Sequence, residues 1–125
     1  MVNALTVDVE EYFCYAYPGD TLSCQQWAEL ESRVVPHTLE TLKILENHDI
    51  RATFFVLGWV AEREPHLLRE IRDRGHEISS HGYAHQLVHS QTPEQFRDDV
   101  RRSVDLTGEV IGQRPVGYRA PSFSI

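Results

Sequence analysis

The sequence predicts an α/β fold with parallel strands, the N-terminal half of a (β/α) barrel. Three observations predict it. Short β-branched runs alternate with stretches of helical periodicity, in the order β-loop-α-β-α-β-α-β. The helical stretches carry start and stop signals, proline near the beginning and glycine just past the end. Polar side chains gather where the strands end, which is where parallel α/β folds hold their working residues.

Each element has its own reason. "ALTVDVE" is β-branched and reads as a strand over Ala4–Val9. The polar and aromatic segment from Glu11 to Arg33 reads as a long loop, with a turn at Pro18-Gly19-Asp20. Val35, Leu39, Leu42 and Leu45 recur at helical spacing, so about 34–48 is a helix with one apolar face. "ATFFVLG" is a short apolar run closed by Gly58, a buried strand. Pro65 and Gly75 bracket the next helix, with Leu67, Leu68 and Ile71 inward. "HEIS" is a third strand. Thr92-Pro93-Glu94-Gln95 is a capping box that opens a helix carrying Phe96, Val100, Val104, Thr107 and Ile111, closed by Gly112. "VGYRAP" begins a fourth strand.

A complete eight-unit barrel takes roughly 250 residues. Residues 1–125 are therefore expected to form one partial domain, truncated after that strand. Half a barrel leaves sheet edges and apolar helix faces uncovered. The isolated chain is expected to be marginally stable or self-associating, and inactive alone.

Bulk properties exclude several classes. Hydrophobic residues make up 41% and charged residues 25%, ordinary for a soluble globular protein. The formal net charge is −7 without a basic stripe, which argues against nucleic acid. "MVNALTVDVEEYF" lacks the features of a signal peptide. "FFVLGWVA" is far short of the about 20 residues that span a bilayer. Cys14 and Cys24 make neither a disulfide framework nor a metal knuckle. A cytoplasmic location is the expectation. The oligomeric state is not legible.

Three clusters at strand ends could do chemistry. Asp8 and Glu10 close the first strand, and the pleat points i and i+2 the same way. Two carboxylates side by side repel unless a cation or a shared proton relieves them. Alone, with Glu11 adjacent, they also read as a solvated acidic strand end. "SSHGYAH" puts His81 and His85 four positions apart after the third strand. Gly82 favours a loop or first turn there, and its presence after His81 excludes the zincin pattern, which needs glutamate. Taken alone, two surface histidines fit as well as a site. Two histidines plus one acid, however, leave coordination positions open for water and substrate, as a catalytic metal requires. His37, His48, His66, His76 and His89 lack such partners and read as structural or surface residues. Arg119, at the fourth strand, would lower the pKa of Asp8 and orient it if the two meet. Pro121 would stiffen the loop that carries it. Tyr12, Phe13, Tyr15, Tyr17 and Trp27 offer aromatic faces for sugar rings or for local packing.

The stretches "TVDVEEYF", "RATFFVLGWVAE", "RGHEISSHGYAH" and "GYRAPSFSI" together resemble the polysaccharide deacetylases, the carbohydrate esterase family with the NodB homology domain. The likeness is nearest to the branch found with exosortase and exopolysaccharide loci. It implies a distorted (β/α) barrel and a metal-dependent hydrolase that removes N-acetyl groups from a polysaccharide, cutting amide but not peptide bonds. It assigns Asp8 as general base, His81 and His85 as ligands of a divalent metal, and Arg119 as the residue that positions Asp8. Zinc is the expected ion. Tyr12 and Pro121 are placed on the substrate side. The usual first motif, Thr-Phe-Asp-Asp-Gly, is altered: Val9 follows Asp8 and the second acid arrives as Glu10, which is expected to replace the usual aspartate as ligand. Ser122 and Phe123 stand where the third motif has a tyrosine. The fourth and fifth motifs, which carry the general acid, are not in these residues. Two other readings remain: a metal-independent cyclic-amide hydrolase of the allantoinase type, and a non-catalytic carbohydrate-binding fragment.

Overall fold

The structure is a computed structural model that describes residues 3–14 and 22–125. Three parallel strands form its sheet: β1 (Thr6–Val9), β2 (Thr53–Val56) and β3 (Glu77–Ser80), in the order β1-β2-β3. The register pairs Asp8 with Phe55 and Phe55 with Ser79, so all three strands end at one level. β2 is central, and its Phe54 and Val56 are fully buried, as its apolar run requires.

Helices follow the strands. α1 (Cys24–Trp27) is a single turn, and α2 (Val34–Asn47) buries Val34, Thr38, Leu42 and Leu45. α3 (Gly58–Arg63) and α4 (Pro65–Asp73) lie between β2 and β3, and α5 (Pro93–Ile111) follows β3. α5 packs on α3, α4 and β3. The predicted signals hold where they are local. Pro65 opens α4, the Thr92–Gln95 capping box opens α5, and Gly112 ends it in the left-handed region.

Three readings need correction. The fourth strand is reduced to a single bridge, Ser80 with Tyr118. Gly117 passes so close that a Cβ there would meet Ser79 Oγ at 2.5 Å, and Pro121 turns the chain into a 3-10 turn two residues after Arg119. The segment 11–33 is not all loop, because a Ser23–Gln26 capping box nucleates α1 and buries Trp27. Gly58 does not close a strand but starts α3. A Cβ there would lie 2.8 Å from the Tyr83 ring and 2.9 Å from Ser103 Cα, so only glycine lets α3 approach α5 and the loop after β3. The turn at Pro18-Gly19-Asp20, with Tyr15 and Tyr17, lies outside the described residues.

The aromatic residues of the first segment divide. Phe13 and Trp27 are buried and meet Trp59 edge to face, with ring centroids 6.0 and 5.4 Å away. They are core. Tyr12 is 57% exposed. Among the described residues, no helix is long and apolar enough to cross a membrane.

Candidate active site

The C-terminal ends of β1 and β3 bring four titratable side chains together. Asp8 sits on β1, and Glu10 lies one residue beyond its end. His81 follows β3 directly, and His85 comes at the far side of a short loop, with its own backbone at φ 53. His85 Nε2 lies 3.0 Å from Glu10 Oε2, and His81 Nε2 lies 3.6 Å from the same oxygen. Asp8 Oδ2 is 4.0 Å from His81 Nε2. Both imidazoles are buried, and their centroids are 5.3 Å apart.

The backbone fixes how His81 presents itself. Its Nδ1 lies 2.9 Å from the carbonyl oxygen of Arg119, an acceptor only. The ring therefore donates through Nδ1, and Nε2 faces the acids with its lone pair free when the ring is neutral. Burial would lower the His81 pKa, but Glu10, the Arg119 carbonyl and the Asp8 charge carry it above its ordinary value. Burial would likewise raise Glu10. The two close imidazoles outweigh it and hold that carboxyl at about 2.

Arg119 reaches Asp8 from the other side. Its Nη1 donates to Asp8 Oδ1 at 2.6 Å and its Nη2 to Thr6 Oγ1 at 2.7 Å. The guanidinium lies over the Phe55 ring, 4.1 Å from the centroid. One fork thus spans Thr6 and Asp8, which share a face of β1. Oδ1 is engaged, and Oδ2 is the oxygen turned toward the histidines.

One oxygen of Glu10 and one nitrogen from each of His81 and His85 lie within 4.8 Å of one another. Glu10 Oε2 is buried, and among the described residues it makes no hydrogen bond of good geometry. Both imidazole Nε2 atoms converge on this buried carboxylate oxygen, so a cation could take the place that protons on the rings would otherwise fill. Two nitrogens and one carboxylate fit zinc and similar ions. The residues fit the group.

A family profile described as polysaccharide deacetylase matches residues 30–125. The chain belongs to the polysaccharide deacetylase family. It is 28% identical over 117 residues to a peptidoglycan-N-acetylglucosamine deacetylase of Bacillus cereus, covering 89% of this chain and 41% of that protein. It is 35% identical over 80 residues to a peptidoglycan deacetylase of Helicobacter pylori, covering 64% of this chain and 27% of that one. The chain thus spans less than half the length of these curated relatives. Among solved structures, a CE4 family pseudoenzyme from Bacillus anthracis superposes with a TM-score of 0.74 at 20% identity, over 98% of this chain and 36% of that one. That likeness is one of fold. It agrees with the parallel α/β architecture of this deacetylase-family chain.

The site residues read from sequence fall in two groups. Asp8, Glu10, His81, His85 and Arg119 come together. Tyr12 borders a hollow of about 200 Å³ that Asp8 and Glu10 also line, with Arg33 5.0 Å over its ring. Pro121 is buried, and a Cβ on Gly82 would meet its ring at 3.9 Å. It braces the histidine loop from beneath and offers little surface of its own. His37, His48, His66 and His89 are exposed and stand outside the donor set.

Two contributors escaped the sequence reading. Thr6 anchors Arg119, and its place two residues before Asp8 on one strand face was a usable signal. Glu11 is 2% exposed and is no surface acid. It accepts from Arg33 N, Val34 N and Ser32 Oγ, capping α2 from 22 residues away. Glu10 is therefore held between a buried Val9 and a buried cap. No local pattern announces a cap so distant.

Proposed function

We propose that this chain carries the metal-binding and base-bearing part of a hydrolase that removes N-acetyl groups from a polysaccharide. The observation that carries the reading is the convergence of Glu10, His81 and His85 beside an Asp8 whose other oxygen is held by Arg119.

Glu10, His81 and His85 would hold a divalent ion, with zinc expected. Such an ion supplies Lewis acidity, making water acidic near neutral pH and polarising an acetamide carbonyl. The chain's own residues do the rest. Asp8 accepts a proton from the attacking water at Oδ2, the oxygen that Arg119 leaves open. Arg119 and Thr6 fix the direction in which that oxygen points. The Arg119 carbonyl keeps His81 in the Nδ1–H form, so that Nε2 is the donor atom. Tyr12, at the edge of the acidic hollow, offers a ring face to the sugar.

The substrate class follows the family: an N-acetylated glycan. The curated relatives above act, by their names, on peptidoglycan. The sequence motifs point to an exopolysaccharide precursor. The test, made on a full-length protein that carries this chain because residues 1–125 alone are expected to be inactive, is acetate release from N-acetylglucosamine oligomers, followed after chelation and after zinc is returned. Release that stops with the chelator and recovers with zinc supports the proposal. Release that ignores the chelator favours metal-independent amide hydrolysis, and no release from any N-acetylated glycan defeats the enzymatic reading.

A further inference from the structure

Residues 82–84 join the two histidines, and their backbone groups are tied from two sides. Gly82 N donates to Ser80 Oγ at 3.2 Å, and Ser80 Oγ lies 3.0 Å from Ser103 Oγ on α5. Tyr83 N donates to Asp99 Oδ2 at 2.9 Å. On the opposite side, Gly58 N donates to Gly82 O at 2.8 Å and Trp59 N to Tyr83 O at 3.0 Å. Those two donors are the first N–H groups of α3, which a helix leaves without partners of its own.

Asp99 is the charged member of this cradle. It stands one helical turn before Ser103, so both point at the same loop. Gly82 is shaped to admit it. A Cβ at 82 would lie 2.8 Å from Asp99 Oδ2, and the backbone there has φ +77, which disfavours any other residue. Burial raises the Asp99 carboxyl, and the N–H groups of Tyr83 and Ala84 pull it back. Asp99 lies in none of the four motif stretches.

We propose that Asp99 is a positioning residue, holding the loop that sets His81 and His85 in place through the Tyr83 N–H. The inference rests on the metal reading above for its consequence, but the anchoring itself is a property of the metal-free chain. Without the carboxylate, the Tyr83 N–H loses its acceptor, and the loop keeps its ties to Ser80, to α3 and, through Arg102 over the Tyr83 ring, to α5. The two Nε2 atoms then converge less well on Glu10. Partners one step removed from a metal commonly change its affinity by about 10- to 100-fold.

The experiment compares the parent protein with Asp99→Ala and Asp99→Asn. Zinc affinity is read by competition with a chromophoric chelator, and amide hydrogen exchange at Tyr83 is read in metal-free protein against Leu68 in the core. Asp99→Ala should bind zinc about tenfold or more weakly and should speed exchange at Tyr83 while Leu68 stays slow. Asp99→Asn keeps an acceptor oxygen and should recover most of the affinity. Should Asp99→Ala fail to fold, Asp99→Ser, too short to reach Tyr83 N, carries the same expectation. Parental zinc affinity in the folded Ala or Ser variant overturns the inference. So does a rise in exchange shared equally by Tyr83 and Leu68, which would mark general destabilisation. If the parent takes up no zinc, the functional reading falls, while Tyr83 exchange still decides the anchoring.

Discussion

His76 and His81 stand at opposite ends of β3, and they are used in opposite ways. At the N-terminal end, His76 Nδ1 accepts the Ala52 N–H at 3.2 Å, and its ring meets Phe54 edge to face. Its charged neighbours are Arg51 and Arg74. Burial first, and then those cations, push its pKa below the ordinary value. At the C-terminal end, His81 Nδ1 donates to a carbonyl, and Nε2 faces two acids that raise its pKa. Both rings are buried. The difference lies in what the backbone offers Nδ1, an N–H at one end and a C=O at the other, and in the sign of the nearby charge. One end of the sheet keeps a neutral ring as packing. The other keeps a ring that can serve as a ligand.

The contrast breaks most visibly at His81. His81→Ala removes one of three donors and leaves too few to retain an ion. Stoichiometric zinc in the parent and none in the variant is the expected result of elemental analysis. His76→Ala should leave zinc content at the parental level while lowering stability. Zinc undiminished in His81→Ala would move the site elsewhere in the molecule.

Asp8→Asn should come next in size. The amide still occupies the site but cannot take a proton, so hydrolysis should fall by about 10²- to 10⁴-fold while zinc affinity changes little. Steady-state rates of acetate release beside zinc titrations would show the split. A variant that loses zinc and rate together would make Asp8 a ligand and not a base.

How much of this contrast was visible in the sequence depends on the distance between cause and effect. α2, α4 and α5 were legible because periodicity, proline and capping residues act within one or two helical turns. β1, β2 and β3 were legible from short β-branched or apolar runs. The convergence of Asp8 with Arg119, 111 positions apart, followed from the rule that parallel strands end at one mouth. What failed was tertiary. Gly58 reads as a breaker, yet it opens a helix because α5 and the histidine loop leave no room for a Cβ. The fourth strand pairs at Tyr118 alone. Glu11 reads as a surface acid because the amides it caps lie beyond the long first segment. In His76, nothing local distinguishes a ring that accepts an N–H from one that donates.

Glu10→Gln sharpens the comparison at moderate size. The neutral amide should bind zinc more weakly, and activity should return in part at high zinc, because mass action refills a weakened site. The Glu10 carboxyl, held at about 2 by the imidazoles, is ionised throughout the neutral range. Because Glu10 in turn raises the His81 pKa, protons compete with zinc more strongly in the parent as the pH falls, so the loss should be largest at pH 8 and shrink toward pH 6. Parental affinity in the glutamine variant would return Glu10 to a bystander acid, and His81 and His85 would be left with no carboxylate partner in the donor set.

The smallest expected effect tests the other end of β3. His76 is neutral when folded, and its pKa is depressed below the unfolded value of 6.5. A histidine of that kind contributes its full stability above the unfolded pKa and loses it as the pH falls through the folded pKa. The mechanism is specific: protonation at Nδ1 removes the acceptor for the buried Ala52 N–H, a loss of about 1–3 kcal/mol. The His76 contribution to stability, read by urea unfolding as the difference between the parent and a variant that cannot titrate there, should therefore decline from pH 7.5 toward pH 5. His76→Gln places an amide oxygen within reach of the same N–H and cannot titrate, so its profile over that window should be flatter. Parallel profiles for parent and variant would show that His76 is not the titrating group. The contrast between the two ends of β3 would then rest on hydrogen-bond direction alone.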